Sequence, residues 1–374
     1  YYWRVVVRDG AGNENASETL RFTVDTLAPP APVLLFPENR SLENKKEVTF
    51  GWTEVADNWA PGYENYLVQV ARDQAFSSLY HENWVGDNSY SLTFAEDGVF
   101  WWRVRAADRA GNLGPWSENR RLTVDTAAPP APQLLFPTHG TYTNENQLTF
   151  SWTKVLDLLS MPVTYRLQLA GENSFASPYY DNEPWTRLYA ENSSGENFLS
   201  PENAKGAPDE NFSLAILDNE NRSYRLWGYG YRRGEGENLL FLRMGVRYRA
   251  SGAFDNDNLV LTYSLDNGKT FGSRHAWTPR DNEVHELEVD ITGDRVWTWE
   301  DVEKLRVYLL YENEGPADGE NLYVDSLYLS CLSTSFTLPQ VLGDGEYWWR
   351  VVVRDNAGHE NLSPPAWFLV DTLP

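Results

Sequence analysis

Cysteine is almost absent from this sequence of 374 residues: Cys331 stands alone, so no internal disulfide can form. Domains of such a chain must be large enough to hold themselves by core burial, which is ordinary for a secreted protein of this size. Methionine is scarce and arginine far exceeds lysine, a leaning that fits a harsh environment. Long apolar runs are missing. Nothing approaches the roughly 18 consecutive apolar residues of a spanning helix, so no membrane insertion is expected within this segment. Positive charge is in deficit, with Lys+Arg at 31 against Asp+Glu at 54 and a formal net charge of −23. That balance repels nucleic acid and anionic membrane surfaces, and it suits a soluble surface protein that meets divalent cations. Catalytic signatures are missing too. There is no Walker or dinucleotide motif. The histidines, His81, His139, His275, His285 and His359, have no metal-ligand spacing. No Ser-His-Asp set assembles and no carboxylate pair is singled out, so an enzyme is not expected.

What is present is a repeat. YYWRVVVRDGAGNENASETLRFTVDT (1–26), VFWWRVRAADRAGNLGPWSENRRLTVDT (99–126) and EYWWRVVVRDNAGHENLSPPAWFLVDT (346–372) are versions of one sentence. Each is two β-runs around an Asp-x-Ala-Gly-Asn/His turn. The match continues upstream: APPAPVLLFP (28–37) with APPAPQLLFP (128–137), EVTFGWT (47–53) with QLTFSWT (147–153), NYLVQVA (65–71) with TYRLQLA (164–170), and SYSLTF (89–94) with TSFTLP (334–339). A full unit is thus a set of about seven short strands, the pattern of an immunoglobulin-like sandwich. Period-2 alternation puts Phe100, Trp102, Val104 and Ala106 on a buried face, and Tyr347, Trp349, Val351 and Val353 on its counterpart. Trp52 and Trp152 should pack beneath them, while Trp101 and Arg103 form a surface ladder.

These residues carry a resemblance. The early-strand Trp, the later aromatic-x-x-x-Val strand and the closing F-T-V-D-T before a Pro-rich joint resemble the fibronectin type III-like repeats of large prokaryotic cell-surface proteins, over 1–182 and 333–374. The resemblance implies spacers, stalks or adhesive arms, and the Ala-Pro-Pro-Ala-Pro joints favour short semi-rigid linkers. The start at Tyr1-Tyr2-Trp3 reads as the middle of a strand, so the sequence is expected to be a cropped or processed piece. Residues 1–26 then hold the last two strands of a sandwich. Their apolar face, with Trp3, Val5 and Val7, should be covered in the native assembly by upstream strands or by a neighbouring copy.

Between Tyr180 and Thr334 the third unit is interrupted by a stretch too long for a structureless loop. Strand signals fall at 212–217, 239–250, 258–265, 284–291, 304–311 and 321–329, and a helical turn with a capping box is expected from Thr298 to Asp301. SLDNGKTF (264–271) fits the Asp-box pattern, a structural hairpin. With YVDSLYL (323–329), the insertion resembles a carbohydrate-binding-module β-sandwich. The expected fold class is all-β: tandem immunoglobulin-like β-sandwiches with an inserted jelly-roll-like β-sandwich. The expected domains are 1–29 (two closing strands), 30–129, 130–182 with 333–374, and the insertion 183–332.

Three sets of candidate site residues follow. Asp255 and Asp257, in an Asp-Asn-Asp-Asn run, offer oxygen ligands of the kind calcium takes, against the plainer reading of a solvated loop. Trp185, Trp227, Tyr229, Trp277, Trp297 and Trp299 could stack on sugars where they are not core. Asn15, Asn39, Asn192, Asn211, Asn221 and Asn361 head Asn-x-Ser sequons. The leading functional expectation is an extracellular, rod-like cell-surface or filament subunit whose partners are copies of itself. The alternative is an adhesin or carbohydrate-binding region of a larger secreted protein or enzyme, with surface glycans as partners.

Overall fold

The computed structural model describes residues 1–55, 65–217, 223–234, 238–255, 257–312 and 319–373. The chain divides into two compact units. One comprises Tyr1–Pro130, Leu156–Thr164 and Arg354–Asn361; the other comprises Ala131–Val155, Tyr165–Val353 and Leu362–Pro374.

In the first unit, an Ig-like sandwich pairs a three-stranded sheet (Ser89–Thr93, Glu47–Trp52, Leu34–Phe36) with a five-stranded one (Ser41–Glu43, Arg120–Val124, Gly98–Ala107, Asn65–Ala71, Leu79–Val85). The expected alternation decides the core. Phe100 is 1% exposed and Trp102, Val104 and Ala106 are fully buried, with Trp52 and Phe50 from the facing sheet. Phe50 and Trp102 meet at 4.9 Å between ring centroids. On the other face Arg103 stacks over Phe76 and Trp116, at 3.9 and 4.1 Å.

Residues 1–26 form two short ladders, Tyr2–Trp3 with Leu20–Arg21 and Val6–Arg8 with Glu14–Ala16. The turn between them is built locally. Asp9 Oδ1 accepts from the backbone N–H of Ala11 and Asn13, both at 2.9 Å. Gly12 sits at φ +90°, a conformation open to glycine and costly for a Cβ. Asp108 with Gly111, and Asp355 with Gly358, repeat that turn.

In the second unit the split sandwich has the same layout. Leu134–Phe136, Thr149–Trp152 and Ser335–Thr337 form one sheet, and Thr141–Thr143, Ala366–Val370, Gly345–Arg354, Thr164–Ala170 and Tyr180–Asn182 lie in order in the other. Phe150 pairs with Phe336 across the insertion. Trp152 and Trp349 are 1% and 0% exposed.

The inserted strands pair among themselves in two five-stranded sheets. The first runs Trp185–Tyr189, Asn321–Ser333, Leu239–Ala250, Val284–Asp290, with Ser213–Ile216 also on Asn321–Ser333. The second runs Asn192–Glu196, Tyr224–Tyr229, Arg306–Glu312, Asn258–Ser264, His275–Trp277. Leu242, Met244 and Val246 are fully buried as the alternation requires, but a register shift between Leu239 and Phe241 leaves Leu240 half-exposed and buries Phe241. The helix Trp299–Lys304 opens on Thr298 with both halves of the capping box, Thr298 accepting from Asp301 N and Asp301 from Thr298 N. Among the described residues no helix is long and apolar enough to cross a membrane.

Candidate functional site

The outer face of the second inserted sheet carries an aromatic row. In Tyr224–Tyr229 the core takes Tyr224, Leu226 and Gly228, so Arg225, Trp227 and Tyr229 point outward. Register places Ser194 opposite Trp227, Trp227 opposite Tyr308, and Tyr308 opposite Thr262. Trp227 and Tyr308 stack at 5.7 Å with 27° between planes, and Phe271 meets Tyr308 edge-on at 5.1 Å. Arg306 lies over Tyr229 at 4.9 Å. The Asp-box hairpin delivers Phe271. Within it Asp266 accepts from the backbone N–H of Thr270 at 2.8 Å and of Lys269 at 3.1 Å, and from the Thr270 hydroxyl. The Thr270 bonds, foremost among these, hold the Asp266 carboxyl at about 2. Asp266 is spent on the turn.

The outer face of the first inserted sheet carries an arginine–carboxylate lattice that spacing alone does not reveal. Arg187 pairs with Glu286 at 2.8 Å and Glu288 at 3.6 Å; Arg243 and Arg247 reach the same two carboxylates at 3.5 and 3.3 Å. The Arg187 hydrogen bond, first, holds the Glu286 carboxyl below its ordinary value. Arg247 Nε lies 3.0 Å from Asp325 Oδ2 as an ion pair, but the contact is not aligned as a hydrogen bond and both atoms are buried. Burial raises the Asp325 carboxyl. The sequence shows Arg243 and Arg247 four residues apart and Glu286 and Glu288 two apart, each pair on one face of its strand, but not the register that joins them.

The other stacking candidates divide. Trp185 is half-buried beneath Arg243, at 4.1 Å. Trp277 is half-buried, packs against the inserted core and donates from Nε1 to Tyr248 Oη at 2.7 Å. Trp297 and Trp299 are corrected: they are 8% and 6% exposed, members of the core. Trp297 donates to Ile291 O at 2.7 Å, and Trp299 begins the helix and covers Gly234, so neither ring is open to a ligand.

Of the calcium candidates, Asp255 is exposed, while Asp257 is fully buried and accepts a short hydrogen bond from the Tyr311 hydroxyl. Asn256 lies outside the described residues, as does the sequon residue Asn221. Asn15, Asn39, Asn192 and Asn211 are exposed. Asn361 is half-buried, and its amide donates to Pro129 O at 2.9 Å.

A third surface is the hairpin of residues 1–26. Trp3 is 47% exposed, although its repeat counterparts Trp102 and Trp349 are fully buried. Val5, Val7, Leu20, Phe22 and Val24 are exposed beside it.

No protein-family model matches the chain, and no curated protein matches it. Solved structures with a similar trace include a carbohydrate-binding module of the β-sandwich superfamily, 11% identical over 82% of this chain and 99% of that one, TM-score 0.26. Others are the fibronectin(III)-like modules of Clostridium thermocellum CbhA, 9% identical over 91% and 94%, TM-score 0.26, and the FN1–FN3 domains of chicken CNTN1, 10% identical over 99% and 77%, TM-score 0.25. At these TM-scores the likenesses carry no argument, and the fold is read from the strand pairing itself. The fold defines the chain as an all-β protein of Ig-like sandwiches, one of them interrupted by a further β-sandwich.

Proposed function

We propose that the chain is a structural, non-catalytic segment of an extracellular β-sandwich assembly, in which the apolar face of residues 1–26 is covered by further Ig-like strands. The exposure of Trp3 carries this reading: the same position in both other repeats is buried completely. A contiguous apolar face on a two-stranded ribbon is a surface that associates, because its edges are unpaired and its side chains unburied. The strand positions of the first sandwich recur one for one in the split sandwich, so neither leaves a gap for a donated strand. The covering strands belong to another stretch of Ig-like polypeptide, in the same array or in a neighbouring copy. Electron micrographs of natively isolated material should show regular rods or fibres. Amides of residues 1–26 should exchange slowly in that material and quickly in the isolated chain. Discrete particles with an unprotected hairpin would end this reading.

A second reading, glycan binding by the inserted sandwich, is favoured by the outward Trp227 and Tyr229 and the exposed Phe271, with Trp227 and Phe271 packed on a buried Tyr308. Outward rings of this kind are suited to stacking on a sugar ring. Glycan-array screening of the full chain and of Trp227→Ala tests it. Binding that Trp227→Ala abolishes would support it, and no retention on any polysaccharide would leave the sandwich a structural role.

A further inference from the structure

We propose that Asp125, Asp157 and Asp355 form a calcium site that fastens the segment entering the second Pro-rich joint to two loops of the split repeat. All three residues lie in the first unit. Asp125 directly follows the strand Arg120–Val124, Asp157 lies in the loop after Thr149–Trp152, and Asp355 heads the turn after Gly345–Arg354. One carboxylate oxygen from each lies within 4.8 Å of the others. That is the span of ligands on opposite sides of one ion at a calcium–oxygen distance of roughly 2.4 Å.

The cluster alone would be weak grounds, since acidic groups gather without ions. What singles it out is one buried carboxylate oxygen, Asp125 Oδ2, left without a hydrogen-bond partner. Asp125 is 1% exposed; its Oδ1 accepts from Ala127 N at 3.2 Å, while its Oδ2 is buried and has no hydrogen-bond partner. Asp355 is 4% exposed. Among the described residues no lysine or arginine pairs with any of the three, and the one basic neighbour is His359, whose Nδ1 lies 3.2 Å from Asp355 Oδ2. A buried anionic oxygen facing two further carboxylates is costly unless a cation sits among them. The loops are already shaped to present the group. Asp157 Oδ1 accepts from Leu159 N and Ser160 N at 3.1 and 3.2 Å, and Ser160 O accepts from Asn356 N at 2.9 Å. Ser160 is itself 1% exposed, and its Oγ has no partner. An all-oxygen donor set on loops suits calcium over zinc or copper, and waters can complete its shell.

The preceding repeat carries Asp25, Asp57 and Asp108 at the equivalent positions, after Val24, five residues past Trp52 and six past Trp102. Asp57 lies outside the described residues, so that trio is a recurrence in sequence and not part of the site.

Calorimetric titration of the EDTA-stripped full chain with calcium, with magnesium in parallel, tests the proposal. The parent should bind one more calcium ion than Asp125→Asn or Asp157→Asn, whereas Asp255→Asn should match the parent. Amide exchange is the second readout. Calcium should slow exchange at least tenfold over 124–128, 156–160 and 354–359 in the parent and not in Asp157→Asn, whose half-buried side chain makes it the variant most secure in folding. Equal stoichiometry in parent and variants, magnesium uptake without calcium uptake, or no calcium-dependent protection in these three segments would each overturn it.

Discussion

Trp102 and Trp349 occupy one repeat position and are both fully buried, yet the two should respond differently to the same substitution. Truncation of either to Ala removes a core aromatic and should cost about 3–5 kcal/mol. Replacement by Phe keeps most of the ring and isolates the indole N–H. Trp349 Nε1 donates to Pro137 O at 3.1 Å in the buried interior, whereas Trp102 Nε1 is buried without a partner. The cause lies across the sheet. Trp102 pairs with Arg120, whose guanidinium donates to Pro37 O at 3.0 Å and Leu34 O at 2.7 Å. Trp349 pairs with Ala366, which has nothing to donate, so the indole serves the equivalent carbonyl instead. Trp349→Phe therefore strands a buried acceptor, at about 1–3 kcal/mol beyond the lost packing, while Trp102→Phe removes an unpaired donor. Urea unfolding followed by amide exchange in peptides of each sandwich should show Trp349→Phe costing its sandwich about 1–3 kcal/mol more than Trp102→Phe costs its own. Equal losses would refute the reasoning. Trp3→Phe in the isolated chain should fall within about 0.5 kcal/mol of the parent, as surface changes do.

Other perturbations have equally definite outcomes. The Asp266 carboxyl is lowered to about 2 from 3.8 by the Thr270 bonds, so its support of the Asp-box hairpin is complete above the unfolded value and lost as pH falls through about 2. Exchange protection of residues 264–271 should persist at pH 3.5 in the parent and be weaker at every pH in Asp266→Ala. Burial pushes the Cys331 thiol up to about 12 from 9.0, and the residue is 1% exposed. Alkylation at pH 8 should run about a thousandfold slower in the folded chain than in urea, from thiolate fraction alone. Gly245→Ala would drive a Cβ into the fully buried Tyr328 ring and should lower the stability of the inserted sandwich by about 1–3 kcal/mol in the same urea assay.

What could be read from residues alone was what is local or periodic. The burial of Trp102 followed from alternation along 98–107, and the helix cap at Thr298 from four adjacent residues, because both depend on neighbours within a few positions. The inserted strands Trp185–Tyr189, Asn192–Glu196 and Tyr224–Tyr229 were missed, being short and mixed in polarity. Periodicity could not place Trp297 and Trp299, because Trp297 sits in irregular chain and Trp299 opens a single short helix, Trp299–Lys304, where no repeat shows which side faces the core. The arginine–carboxylate lattice shows the harder limit. Each strand advertises its charges, but whether Arg187, Arg243 and Glu288 meet depends on three registers: Trp185–Tyr189 with Asn321–Ser333, Asn321–Ser333 with Leu239–Ala250, and Leu239–Ala250 with Val284–Asp290. The aspartate trio is the extreme case, since Asp125, Asp157 and Asp355 lie far apart in sequence and meet only through the return of the chain after the insertion. Of the three, Asp125 directly follows a strand in the repeated Val-Asp-Thr and Asp355 heads the repeated Asp-x-Ala-Gly turn, so each has a local role of its own. A residue with a sufficient local explanation does not look like a ligand until folding places a second buried charge beside it.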